Sequence, residues 1–296
     1  MRLFATAETV AAHGNEPSKG YRSNPTLIAA RSMPYSSGVS IGARPVVHHF
    51  LENSERPVWP RLSSVNVTET PRLSYDRAVQ IQGLEVIFED DSILVVNKPA
   101  GMLTIATETE KTKTAYAILR AYLNNKKRPE KLFIVHRLDR EASGLLVFAK
   151  TVESKERLQD QFKDHSAGRR YAAVVEGSLS RNQFTLQSYL AENAAYRVYS
   201  TPNRKIGKLA VTHVKVLKRN SQRSFVEVQL ETGRKHQIRV HLAEQGHPIV
   251  GDKAYGSRSN PIRRMALHGM WLDFIHPVSG EAMSLRSPYP KEFERL

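Results

Sequence analysis

Hydrophobic and polar positions fall into a regular pattern only from about Leu84 onward. LEVIF, the acidic turn EDD and SILVVNKP make two β-rich runs about a turn, which predicts a hairpin stopped at Pro99. Thr114 is placed to cap a helix reaching about Asn124, with Ala115, Ile118, Leu119 and Leu123 on one face. GLLVFAK, residues 144–150, is a short apolar run of buried-strand type, and a second helix is expected over 152–165, where Leu158 and Phe162 stand four apart. RYAAVVEG, residues 170–177, reads as another strand. LAVTHVKVLKR and SFVEVQLE alternate in part and are separated by the turn residues Asn220 and Ser221. RKHQIRVHLAEQG then reads as a helix ended by Gly246. Strands and helices mix without strict βαβ alternation, so the pattern predicts an α+β fold around a mostly antiparallel sheet. It contains no internal repeat and no P-loop.

Residues 1–80 read differently. They are rich in Ser, Pro, Asn and Gly, show no sustained period, and carry nine basic residues against six acids. Such a stretch buries too little apolar area to offset its ordering entropy. It is expected to be a basic, largely disordered or loosely packed extension ahead of one folded domain, residues 81–296. Its first forty residues are acid-poor, as organellar transit peptides are. A plain extension on a cytoplasmic protein is the expectation, with an organelle as the alternative.

Charge changes the picture more than composition does. With 44 Lys and Arg against 29 Asp and Glu, the net charge is +15, which attracts polyanions and points to a nucleic-acid partner. The absence of cysteine excludes disulfides, thiolate nucleophiles and Cys-ligated zinc. No apolar run approaches the roughly 20 residues of a membrane span, and no h-region marks a secretory signal, so no membrane partner is expected.

Asp139 is the first candidate for chemistry. It lies in IVHRLDREASGLLVFAK, in a tight polar loop between two apolar runs that both read as buried strands, which is how a fold presents a side chain on a rigid base. The neighbouring Arg137 and Arg140 would hold its carboxylate ionised; the alternative is a surface salt bridge in a turn. A second cluster follows a Thr-Gly turn, with Arg234, Lys235, His236, Arg239 and His241 assigned to one helix. Three- and four-residue spacings group Arg239 with His236 and Lys235, making an anion site that phosphate or a carboxylate would satisfy. His236, His241 and His247 are spaced five and six apart, so no metal is expected. Tyr171 follows the Arg169-Arg170 pair and is placed either to stack on a base or to sit half-buried in its strand. Lys98 either points into a cleft or caps the hairpin. Glycosidase chemistry would want two carboxylates, and only Glu141 neighbours Asp139. No serine elbow of the GxSxG kind falls in the patterned stretch from Leu84 onward.

From Leu84 to the C-terminus the chain resembles the RluA family of pseudouridine synthases. The resemblance is carried by EDDSILVVNKPAGML, HRLDREASGLLVFAK, RRYAAVVEG, TGRKHQIRVHLAEQGHPIVGDKAYG and LHGMWLDFIHPVSGE, in the family's order. It implies a mixed, mostly antiparallel sheet with flanking helices and a central active-site cleft. It implies cofactor-free isomerisation of uridine in structured ribosomal or transfer RNA. Asp139 would be the nucleophile, attacking either the uracil ring or the sugar C1′. Arg239 would pair with it, and Tyr171 would stack on the target base and assist proton removal at C5. Arg137 would help fill the space left by the flipped nucleotide, with Lys98, Arg234, Lys235 and His236 as further RNA-binding residues. Two departures stand out: Ala142 replaces the family's usual Thr, and residues 1–80 lack the paired helices of the S4 module that many relatives carry. A monomer is expected. The alternative is a non-catalytic RNA-binding or RNA-folding protein on the same scaffold.

Overall fold

The computed structural model describes residues 79–295, so the expectation for residues 1–80 lies, but for its last two positions, outside the described residues. Those two already belong to regular structure. Strand β1 (Gln80–Ile81) pairs antiparallel with β2 (Leu84–Glu89) across Gln82 and Gly83, both at positive φ (46° and 87°), as a two-residue hairpin turn of this hand requires. Order therefore starts ahead of Leu84.

The predicted hairpin forms from β2 and β3 (Ile93–Lys98), and the Asp90 carboxylate closes its turn by accepting from the Ser92 and Ile93 amides at 2.7 and 2.8 Å. Helix α1 (Ala115–Asn124) starts where Thr114 accepts from the Ala117 amide (3.1 Å), and it buries the four residues its sequence places on one face. Strands β4 (Phe133–Ile134) and β5 (Ser143–Ala149) flank the loop that carries Asp139. Helix α2 (Val152–Lys163) is capped by Thr151, and is followed by β6 (Gly168–Glu176), β7 (Gln183–Glu192), β8 (Val198–Thr201), β9 (Lys208–Arg219) and β10 (Arg223–Leu230). Helix α3 (Gln237–Glu244), β11 (Leu267–Ile275) and β12 (Ala282–Arg286) complete the regular elements, with short 3-10 turns at Lys253–Tyr255 and Lys291–Arg295.

All twelve strands of the described residues join one sheet in the order β1-β2-β3-β5-β11-β6-β10-β9-β7-β8, with β4 added to β5 and β12 to β11. Only β5 and β11 run parallel among the named strands, so the sheet is mixed and mostly antiparallel, flanked by helices as expected. The central strands are buried on both faces, and their two-residue period sorts side chains between two layers. Leu94 and Val96 of β3, with Leu146 and Phe148 of β5, pack with Ile118, Leu119 and Leu123 of α1. Ile93, Val95, Leu145 and Val147 point the other way, towards Leu158 and Phe162 of α2. Each such side chain stabilises the fold by about 1.5–3 kcal/mol, which is how two short amphipathic helices hold a wide sheet.

The backbones of β5 and β11 touch at the centre. A Cβ on Gly144 (φ 126°) would lie 2.3 Å from the Gly269 carbonyl oxygen, so it is the glycine at 144 that lets the strands close here.

Two expectations need correction, and four strands had none. The run before Asp139 yields only the two-residue, half-buried β4 rather than a buried strand. The third helix does not begin at Arg234 but at Gln237, because His236 adopts a left-handed conformation (φ 52°) that a helix cannot include. Gln237 fixes that turn: its side-chain oxygen accepts from the Arg234 amide (3.0 Å) and the Thr232 hydroxyl (2.7 Å), and its amide nitrogen donates to Val211 and Thr212. Strands β7, β8, β11 and β12 were not read from the sequence; β11 in particular hides its pattern by being buried on both faces and broken by Gly269.

Candidate active site

The Asp139 loop is irregular, so its rigidity comes from tethers. The Lys98 ammonium, at the end of β3, donates to the carbonyls of Ala142 (2.6 Å), Met102 (2.8 Å), Pro99 (3.0 Å) and Arg140 (3.4 Å). The Gly101 amide donates to the Arg140 carbonyl at 2.7 Å. Thr104 brackets Leu138, donating its hydroxyl to the carbonyl (2.8 Å) and accepting from the amide (3.2 Å). Within the loop, the Ala142 amide reaches back to the Asp139 carbonyl at 3.2 Å. The hairpin is thus the clamp that holds the candidate nucleophile in place.

Opposite the loop, α3 presents Arg239. Its side chain is 5% exposed, and its Nε and Nη2 donate to the two carboxylate oxygens of Asp252 at 2.7 and 2.9 Å, a two-pronged arrangement that fixes the guanidinium plane. The remaining Nη1 donates to Asp139 Oδ2 at 3.2 Å, and the guanidinium lies over the Tyr255 ring at 4.9 Å. Burial opposes the charge on Arg239, yet the hydrogen bonds and charge of Asp252, with those of Asp139, hold its pKa above the ordinary range. Asp139 keeps 21% of its side chain exposed, and its Oδ1 stands 3.9 Å from His236 Nε2, beyond hydrogen-bond reach. The His236 ring is held from its other side, where Nδ1 pairs with the Tyr255 hydroxyl at 2.8 Å.

A cavity of about 70 Å³ opens beside Asp139, with Arg137, Arg169, Tyr171, Arg234 and His236 in its wall. Tyr171 is buried on β6, its ring edge against Gly269, and burial, opposed by Arg169 and helped by Asp139, raises the pKa of its phenol. The cavity opens at the centre of the sheet, bordered by residues of the Asp139 loop, β6, the turn after β10, α3 and β11.

The structure therefore brings together Asp139, Tyr171, Arg239, His236, Arg137 and Arg234, and sets two candidates aside. Lys98 is completely buried beneath the Asp139 loop, so it does not reach the surface where a phosphate would lie. Burial draws its ammonium down to about 7, although Asp139 and Glu141 favour the charge. Lys235 pairs with Glu192 and faces Tyr196, away from the cavity wall. The flanking arginines do not act as expected either: Arg140 pairs with Glu141 at 3.0 Å, and it is Arg239 that engages Asp139. His241 is buried and joins Thr212 and Ser188, both at 2.9 Å, so it adds nothing to an anion site. His247 bonds the Glu176 carbonyl at 2.8 Å, and among the described residues no group of His, Asp and Glu is placed to hold a metal ion. Sequence reasoning did not single out Asp252 or Tyr255. Both lie in the GDKAYG stretch, and the signal available was that a buried Arg239 must have an acid to face.

Comparison with known proteins identifies the family. Residues 92–244 match the family described as RNA pseudouridylate synthase. The chain is 37% identical to the uncharacterized RNA pseudouridine synthase YhcT of Bacillus subtilis (strain 168), covering 72% of this chain and 71% of that protein. It is also 37% identical to the ribosomal large subunit pseudouridine synthase D of Neisseria meningitidis serogroup A, covering 72% of this chain but spanning only 60% of that protein's length. Among solved structures, human RNA Pseudouridylate Synthase Domain Containing 1 shares the fold with a TM-score of 0.58 at 24% identity, over 72% of this chain and 86% of that one. The family match covers 153 residues, more than half of the chain, and includes the Asp139 loop, Tyr171 and Arg239. On these grounds the chain belongs to the RNA pseudouridine synthases, a family of isomerases.

Proposed function

We propose that this protein isomerises uridine to pseudouridine in structured ribosomal or transfer RNA, with Asp139 as the nucleophile. The observation that carries the proposal is the Asp139–Arg239–Asp252 chain, in which one carboxylate braces an arginine that aims a second carboxylate into a basic cleft. In the reaction the N1–C1′ bond breaks, the uracil turns, a C5–C1′ bond forms, the C5 proton leaves and N1 takes one up. Asp139 Oδ2 is engaged by Arg239, which leaves Oδ1 for the reacting carbon, the uracil ring or C1′.

Tyr171 stacks on the flipped base. Its raised pKa keeps the phenol protonated at neutral pH, so stacking is its first role, and relaying the C5 proton requires a base beside it. Arg137, exposed at the rim, enters the gap left in the RNA, while Arg234 and His236 contact the nucleotide's surroundings. Extrusion of the base costs a few kcal/mol, which stacking and phosphate contacts offset.

The test is release of tritium from RNA transcribed with 5-tritiated uridine. Wild-type protein should release it, and unlabelled RNA should keep its mass through the same reaction, whereas Asp139→Asn or Asp139→Ala should release none while still binding RNA. Full activity of Asp139→Ala would sink the mechanism. Abasic products would instead mark a base-removing glycosidase, and RNA binding without tritium release by wild type would mark a non-catalytic scaffold.

A further inference from the structure

β6 places Arg169 and Tyr171 on the same face, two residues and about 6.6 Å apart along the strand, while Arg170 between them lies over Trp271 on the other face. Arg169 and Tyr171 both wall the cavity beside Asp139. The surroundings of Arg169 are unusual for a cation. Its Nε is buried without a hydrogen-bond partner among the described residues. Its guanidinium sits over the Phe162 ring at 5.2 Å and against Gly233, where even a Cβ would come within 2.4 Å of Nη1. Burial works most strongly against its charge, the neighbouring Tyr171 opposes that in part, and the second cation Arg234 adds to it; no carboxylate is among its partners. Asp139, the acid across the cavity, is already engaged by Arg239. Arginine does not shed its proton in a protein, so this charge stays unbalanced until an anion arrives.

We propose that Arg169 is the anion site of the cleft and holds a backbone phosphate of the RNA beside the nucleotide whose base lies on Tyr171. The inference rests on the reading that the cleft takes a uridine of RNA. The separation of Arg169 from Tyr171 is one that a ribose bridges, and the planar guanidinium matches two phosphate oxygens. Arg234, in the same wall, adds to the positive potential on that phosphate. Gly233 matters because it leaves the guanidinium room to turn towards the ligand.

The experiment uses the full chain, comparing wild type with Arg169→Gln and Arg169→Lys. In phosphate-free buffer, Arg169→Gln should melt at the same temperature as wild type or higher, because an unbalanced buried charge is removed. Inorganic phosphate should raise the melting temperature of wild type more than that of Arg169→Gln. Affinity for ribosomal RNA, followed across salt, should lose about 0.7–0.9 from its log–log slope in Arg169→Gln and keep it in Arg169→Lys. In the tritium assay Arg169→Gln should raise KM more than it lowers kcat. A lower melting temperature with an unchanged salt slope would overturn the proposal and make Arg169 a packing residue. Failure of wild type to release tritium would overturn the uridine chemistry, and the melting and salt comparisons would still judge Arg169.

Discussion

Asp252 makes no contact with the cavity, yet it decides how Arg239 points. Breaking a buried ion pair by removing one partner costs about 3–5 kcal/mol, since the other charge is left unbalanced. Asp252→Ala should therefore lower the free energy of unfolding in urea by about that amount and reduce tritium release as well; a variant as stable as wild type would contradict the bracing role. Lys98 makes a different prediction. Its folded pKa of about 7 lies below the ordinary lysine value of 10.5 that applies to the unfolded chain, so between these values the unfolded chain binds more protons than the folded one. Lys98 thus carries a penalty that is full below pH 7 and is relieved as pH rises towards 10.5. The stability of wild type relative to Lys98→Met should climb across that window, and a flat difference would refute the burial effect. At this scale much of the site was legible. Spacing alone left Asp139 and Tyr171 open, and it is the stretches carrying the family resemblance that group them with Arg239, which the structure places together. Lys98 misled because a lysine at a strand end reads as exposed, and nothing local tells that the carbonyls of Arg140 and Ala142 join those of Pro99 and Met102 around it.

Elements whose signals are local matched the sequence closely. Helix α1 has its cap, its period and its four buried residues in one stretch, and the hairpin has an acidic turn between apolar runs. Elements set by distant partners did not match. The start of α3 is decided by Gln237 reaching residues 211 and 212, and β11 is a strand because β5 and β6 lie on either side of it. The closest of those approaches gives a test. Gly144→Ala would place a methyl within 2.6 Å of three backbone atoms of Gly269 at a φ that alanine resists. We expect loss of several kcal/mol, at the upper end of single substitutions, read as a fall in the urea midpoint or as insoluble protein. A Gly144→Ala protein with wild-type stability would mean that the two strands do not touch there.

For the whole molecule, the excess of 15 positive charges should act through counterion release. About a fourfold rise in salt should weaken RNA binding roughly tenfold or more, measured by filter retention. A flat response would place the binding surface away from the basic side chains. Net charge and the α+β class were legible from the chain alone. The cleft's position at the centre of the sheet, where segments from residues 137 to 267 converge, was not, because pairing order leaves no mark in the local pattern.

The place of β11 between β5 and β6 has a consequence for synthesis on the ribosome. Until residues 267–275 have emerged, β6 presents an unpaired edge and β5 an edge covered only at its far end by β4, and no strand joins the two parts of the sheet. A nascent chain already holding Asp139, Tyr171 and Arg239 therefore lacks the strand that brings their segments together. Its open edges are what a chaperone would have to cover during translation.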